Sequence, residues 1–328
     1  MKNQLLLIIL FVSICSIYCN VYDNSLHVSV SSISLKGKRR YLEDEYIVSN
    51  CGHFIAVLDG HGGASVSKFV RKNLYSRFLN NLSQDRIWSN DDITKALINS
   101  VDKVDKDVCT IKTWNRQGST ADIVFCNVQN VHNRDNTIIT CNVGDSRAVL
   151  CRGGKAIDLT IDHKPTKITE RLRIEKLGGY IEWHGLEKQG KPVRGQGVYR
   201  VNGKLSLSRA IGDFAEKPFI CSIPDIRVTK MNEEDRFLIC ATDGLWDVFT
   251  SQEAVDYVQN ILINISENNN DIEDDEDDEK RSIIGSNNKL SIDAQIAAVK
   301  RNMAKMLANE ALKRDASDNI TIIIQWLN

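Results

Sequence analysis

The residues in this chain whose type and spacing could do chemistry are carboxylates at the ends of apolar runs. Asp59 closes FIAVLD, Asp243 follows FLICAT, Asp145 sits in the turn of NVGDSRAVL, and Asp318 opens DNITIII. Glu43 and Asp44 form an adjacent pair in GKRRYLEDEY. Taken singly, each is an ordinary turn residue, because Asp-Gly and Gly-Asp are common turn dipeptides. Taken together they pose a physical problem. At a separation of ~4 Å, two like charges repel by about 1 kcal/mol in water and about 4 kcal/mol at an effective dielectric of ~20. Bound divalent cations would relieve that repulsion, and hard oxygen ligands suit magnesium or manganese.

The loop DGHGG, Asp59 to Gly63, has a rival reading as a dinucleotide-binding turn, since a strand, Gly-x-Gly-Gly and a helical pattern follow in order. The fingerprint is incomplete, with Ser65 in place of its third glycine. Asp59 would also set a carboxylate beside a pyrophosphate, where N–H groups and positive charge are wanted. No Walker loop and no Gly-x-Ser-x-Gly elbow occurs in the chain.

Stiff elements must position these residues. Helical spacing appears in Val66, Phe69, Val70, Leu74 and Phe78, and again in Ile93, Leu97, Val101, Val104 and Val108. Ser251 reads as the N-cap of a helix carrying Val255, Val258 and Leu262, and a last helix is expected over 292–313. Strands are expected over 54–58, 122–128, 137–143, 147–151, 236–241 and 320–326, most of them largely apolar, as strands covered on both faces should be. Residues 137–151, with Val-Gly-Asp-Ser-Arg at the centre, read as a β-hairpin, which favours antiparallel sheets packed on each other with helices outside.

Composition adds boundaries. With 42 Lys and Arg against 43 Asp and Glu, the chain offers no electrostatic case for nucleic-acid binding. Residues 1–19 have the layout of a secretory signal peptide, Lys2 followed by an apolar run. An uncleaved membrane anchor and a hydrophobic N-terminal element are the alternatives, and cytoplasmic residence is the alternative to the secretory route. The nine cysteines lack any CxxC pair and several lie in apolar runs, so they read as buried small hydrophobes rather than a disulfide scaffold or a zinc site. The acidic stretch at about 266–291 has almost no apolar residues and is expected to be a disordered insertion.

In order along the chain stand GKRRYLED, VLDGHGG, QGSTA, NVGDSRAVL, DHKP, ERLRIEKLGG, NGKLSLSRAIGDF, ICATDGLWDV and DNITIII. This ordered set resembles the metal-dependent Ser/Thr protein phosphatases of type 2C (the PPM family). The resemblance implies an α+β fold, a four-layer α-β-β-α sandwich of two antiparallel sheets flanked by helices, as one catalytic domain over 20–328. It implies a centre of at least two Mg²⁺ or Mn²⁺ ions. Asp59 would bridge them, the Gly60 carbonyl and Glu43 would serve one, and Asp243 and Asp318 the other; Asp145 would join Asp243 at a third, weaker ion. Asp44 would orient water at the centre. Arg39 would grip the phosphate and His61 would protonate the departing serine or threonine oxygen, with water as the nucleophile. The implied partners are phosphorylated proteins, acted on by a monomer. A silent pseudophosphatase that binds phosphoproteins is the alternative, though every ligand position here is acidic. Leu42 stands where the family usually has methionine. Residues 182–201, with Gly185, Gly190, Gly195 and Gly197, correspond to the variable flap beside the site.

Overall fold

The structure, a computed structural model, describes residues 28–82, 88–128, 136–189, 191–270 and 291–327. The expected signal segment over 1–19 and residues 271–290 of the acidic stretch lie outside the described residues. Among the described residues no helix is long and apolar enough to cross a membrane.

The chain begins with β1 (Val30–Leu35), β2 (Glu45–Val48), β3 (Phe54–Leu58) and β4 (Gly60–His61), then helices α1 (Ser65–Asn80) and α2 (Asn90–Cys109). Next come β5 (Gly118–Ser119), β6 (Ala121–Asn127), β7 (Thr137–Val143), β8 (Arg147–Arg152), β9 (Lys155–Asp158) and α3 (Ile168–Lys176). The hairpin β10 (Ile181–Lys188) and β11 (Lys191–Val201) leads to β12 (Ile211–Gly212), β13 (Asp225–Lys230) and β14 (Asp235–Ala241). The short α4 (Asp243–Trp246), α5 (Ser251–Asn270), α6 (Ile292–Lys313) and β15 (Ile320–Trp326) complete it.

Two five-stranded sheets form, ordered β1-β15-β14-β8-β9 and β13-β7-β6-β3-β2, and every pairing within them is antiparallel. Alternation along the strands explains the layering. In β3, Ile55 and Val57 point between the sheets with Val124, Ile138, Leu150 and Leu238. Phe54, Ala56 and Leu58 point the other way, onto Leu74 and Phe78 of α1 and Leu97 and Val101 of α2. On the second sheet Phe237, Ile239, Ile322 and Ile324 pack under Leu245, Val255, Val258, Met303 and Leu307. Both faces of each central strand are therefore largely dry, which accounts for their apolar character. The four-layer α-β-β-α arrangement expected from the sequence is the observed one.

Three local expectations differ. Residues 137–151 do not form a hairpin: β7 pairs with β6 and β13, whereas β8 pairs with β14 and β9 in the other sheet. Gly144–Ser146 is a sheet-to-sheet crossover, and antiparallel pairing comes from neighbours far along the chain. The cap of α5 is Thr250, whose N–H donates to Glu253 Oε2 at 2.8 Å while its Oγ1 accepts from the Glu253 N–H at 3.2 Å, a reciprocal capping box. Ser251 instead donates to Asp158 Oδ1 at 2.6 Å. Helix α5 also continues to Asn270, into the stretch expected to be irregular from about 266.

Candidate active site

The acidic residues meet where the strand tips of both sheets converge. Asp59 ends β3, and its backbone is tied to Thr120 in both directions: its N–H donates to Thr120 Oγ1 and its carbonyl accepts the Thr120 N–H, each at 2.9 Å. Thr120 Oγ1 in turn shares a hydrogen bond of 2.7 Å with Ser146 Oγ, beside Asp145 in the crossover. Three chain turns are thus fixed to one another by short-range polar contacts.

Asn319 performs the same service for the N-terminal loop. Its Oδ1 accepts from the Glu43 N–H at 2.8 Å, and its Nδ2 donates to the carbonyls of Lys36 and Tyr41 at 2.7 and 2.9 Å. Glu43 is held again by Ser67 Oγ, which donates to its carbonyl at 2.5 Å. Asp44 is buried and accepts from Thr242 Oγ1 at 2.9 Å, one residue before Asp243 at the start of α4. A side chain on Gly60 would not fit: its Cβ would lie 2.3 Å from the Glu43 carbonyl oxygen and 2.7 Å from Ser67 Oγ. The missing side chain makes room for the Glu43 backbone.

Electrostatics show how strained this gathering is. Burial, then repulsion from Asp243, Asp44, Asp145 and Asp318, holds Asp59 well above the usual carboxylate range. Burial and then Asp145 do the same to Asp243, with Asp247 and Asp318 contributing and Lys164 opposing. Asp44 is pushed up to about 7, chiefly by burial. Two carboxylates have found cations: Arg39 pairs with Asp318, and Lys164 pairs with the buried Asp145. Asp243 Oδ1 is buried with no hydrogen-bond partner.

As they stand, no group of three or more His, Cys, Asp or Glu side chains among the described residues encloses a metal position. The donor set nonetheless fits a hard divalent cation. It consists of acceptor-only oxygens that repel one another, one of them orphaned, with Lys164 and Arg39 paired to two of them among the described residues. Movement of those two cationic side chains would free Asp145 and Asp318.

His61 stands on β4 beside this cluster, with Nε2 2.6 Å from Asp213 Oδ2. Burial works against its charge, but the hydrogen bond and charge of Asp213, joined by Asp145 and Glu43, outweigh it and raise the pKa. A groove of about 270 Å³ lined by Arg116, Lys204, Leu205, Asp213 and Glu216 reaches the same carboxylate. Asp213, Lys164 and Asp247 are polar residues of the site to which the sequence reading gave no role. Asp213 carries the signal of Asp145, an acid directly after a glycine beside an apolar run, in SRAIGDF.

Carboxylates, an arginine and a histidine are thus collected at one end of a two-sheet sandwich, a donor set suited to metal-assisted chemistry on a phosphate ester. The sequence model described as Protein phosphatase 2C matches residues 38–320. Among relatives, the probable protein phosphatase 2C 45 of Oryza sativa subsp. japonica is 35% identical over 299 residues, 89% of this chain and 84% of the relative. The integrin-linked kinase-associated serine/threonine phosphatase 2C of Bos taurus is 31% identical over 88% of this chain and 74% of its own. The solved structure of a C. elegans sex determining protein shares the fold with a TM-score of 0.70 at 21% identity, covering 92% of this chain and 65% of that one. A Toxoplasma gondii serine-threonine phosphatase 2C does so with a TM-score of 0.63 at 20% identity, over 91% and 94%. The chain belongs to the protein phosphatase 2C family and is a serine/threonine protein phosphatase.

Proposed function

We propose that this protein hydrolyses phosphoserine and phosphothreonine esters in proteins at a binuclear Mg²⁺ or Mn²⁺ centre assembled from the carboxylates around Asp59. The observation that carries this reading is the convergence of buried, mutually repelling acids, with the unpartnered Asp243 Oδ1 among them. Asp59 would serve two ions, with Glu43 and the Gly60 carbonyl on one side and Asp243 and Asp318 on the other. Asp145 with Asp243 would serve a third position. When bound, such ions acidify water and offset charge on the phosphoryl oxygens.

The chain's own residues do the rest. Asp44, fixed by Thr242, is positioned to accept a hydrogen bond from water at the centre. Arg39 is exposed at the mouth, close to Asp318, Asp243 and Asp59, and its planar fork suits two phosphoryl oxygens once it turns from Asp318. His61 supplies the proton that the departing serine or threonine oxygen needs. The groove beyond Asp213 accommodates substrate residues flanking the phosphate. Hydrolysis of a phosphoserine peptide by the purified full chain tests the proposal. Turnover should require added Mn²⁺ or Mg²⁺, stop on chelation and return on resupply, and turnover that persists through chelation would discard the metal centre.

A further inference from the structure

The small sheet β4-β5-β12 sets His61, Gly118 and Gly212 side by side, with register His61 opposite Gly118 and Gly118 opposite Gly212. Asp213 follows immediately, its backbone in the left-handed region at φ 47° and its N–H donating to the Gln117 carbonyl at 2.9 Å. Its carboxylate is 1% exposed and meets His61 Nε2 at 2.6 Å. The slot admits nothing else: a Cβ on Gly118 would lie 2.1 Å from Asp213 Oδ2 and 2.5 Å from His61 Nε2.

A second buried carboxylate lies behind the first. Asp105, on the inner face of α2, accepts the Gly212 N–H on Oδ1 at 2.8 Å. Its Oδ2 accepts from Ser222 Oγ at 2.8 Å and from Lys217 Nζ. It therefore ties α2 to both sides of the loop that carries Asp213. The carboxylates of Asp213 and Asp105 accept from His61, Gly212, Ser222 and Lys217, none of them among the acids that the metals would use, and a structural ion pair would not need to end on a partly exposed histidine.

We infer that Asp213 is a positioning residue that orients His61 for proton delivery, and that Asp105 holds Asp213 in place through the Gly212 N–H. The inference rests on the reading of His61 as the proton donor. With Nε2 bonded to Asp213, Nδ1 is the ring nitrogen left to face the substrate. The proton leaves Nδ1 for the serine oxygen as its bond to phosphorus breaks, Nε2 keeps its own proton on Asp213, and the ring is recharged from solvent. The carboxylate does not itself take the proton; it fixes ring angle and tautomer, as orienting carboxylates do in hydrolytic triads.

Leaving-group dependence tests this in the full chain with saturating Mn²⁺. An alkyl phosphate such as a phosphoserine peptide needs a proton on its departing oxygen, whereas p-nitrophenyl phosphate releases a stable anion without one. Asp213→Ala should lower kcat on the peptide at least about tenfold more than on the aryl ester, a loss within the range that a general acid supplies. Asp213→Asn keeps an oxygen for the Nε2 proton and should recover part of that ratio, and Asp105→Asn should shift it in the same direction by a smaller factor. Equal losses on both esters would reduce the pair to a structural contact and overturn the inference. If Asp213→Ala does not fold, Asp213→Asn decides, with a ratio shift of at least about threefold required. His61→Gln separates the two levels. An unselective loss there would sink the proton-donor reading, while a selective loss there without one at Asp213 would sink only the positioning.

Discussion

Two groups of carboxylates in this molecule are treated in opposite ways. Around Asp59 the acids face one another, and burial with mutual repulsion lifts Asp59 and Asp243 well above the usual range. At Glu170, on α3, a single buried carboxylate is enclosed by donors. Oε1 accepts from Arg209 Nη2 at 2.6 Å, and Oε2 from Arg209 Nε, Arg173 Nη2 and Ser208 Oγ at 3.1, 3.0 and 2.9 Å. Burial alone would raise Glu170, yet Arg209 foremost, with Arg173 and Ser208, carries it down to about 2. Arg209 goes on to Asp225 Oδ1 and the Ile223 carbonyl, both at 2.8 Å, so this network clamps the segment after Asp213. One cluster satisfies its charge within the fold; the other leaves charge for something outside it. Concentrated, unsatisfied acid is what marks a site for function rather than for stability.

The sharpest way to break this contrast is Asp59→Asn. Turnover of a phosphoserine peptide at saturating Mn²⁺ should fall at least about a thousandfold, some ~4 kcal/mol of barrier. In chelator the same substitution should raise the thermal midpoint, since it removes one of several repelling charges, a gain on the order of 1 kcal/mol. A variant that is both inactive and less stable without metal would erase the distinction between the two clusters. Glu170→Gln is the converse experiment. It leaves Arg209 and Arg173 facing a neutral amide and should cost about 3 kcal/mol in denaturant unfolding, as one-sided removal from a buried ion network does. Metal completes the triangle: Mn²⁺ at about a hundred times its dissociation constant should stabilise the wild type by about 2.7 kcal/mol and Asp59→Asn by far less. Equal stabilisation of both would place the ion elsewhere.

Much of this was legible in the sequence alone, for a physical reason. Strands covered on both faces are apolar over most of their length, so 54–58, 137–143 and 320–326 announce themselves despite buried Thr140, Asn142, Thr321 and Gln325, and an acid at the end of such a run stands out. What was not legible is decided by partners distant in sequence. Gly144–Ser146 has the local signature of a hairpin turn, and only the pairing of β7 with β13 and β8 with β14 makes it a crossover. The cations on Asp318 and Asp145, and the grip of Asp213 on His61, join residues 279, 19 and 152 positions apart. Spacing carries no trace of such pairs. Gly60 shows a subtler limit: the resemblance marks its carbonyl, but nothing in the sequence shows that its missing side chain makes room for the Glu43 carbonyl.

A change of pH also bears on the contrast. Glu170 has a folded-state pKa of about 2 against an ordinary value of 4.5. The unfolded chain therefore binds the proton first, and the stability that Glu170 contributes is fully present above pH 4.5 and lost as the pH falls toward about 2. Across that window its share of the slope is at most about 1.4 kcal/mol per pH unit. Glutamine at this position cannot titrate. Denaturant unfolding in chelator should thus show the stability gap between wild type and Glu170→Gln narrowing from pH 5 downward, while above pH 5 it holds constant. A gap that stayed the same width through the acid limb would mean that shape and hydrogen bonding, rather than charge, make Glu170 the satisfied member of the pair.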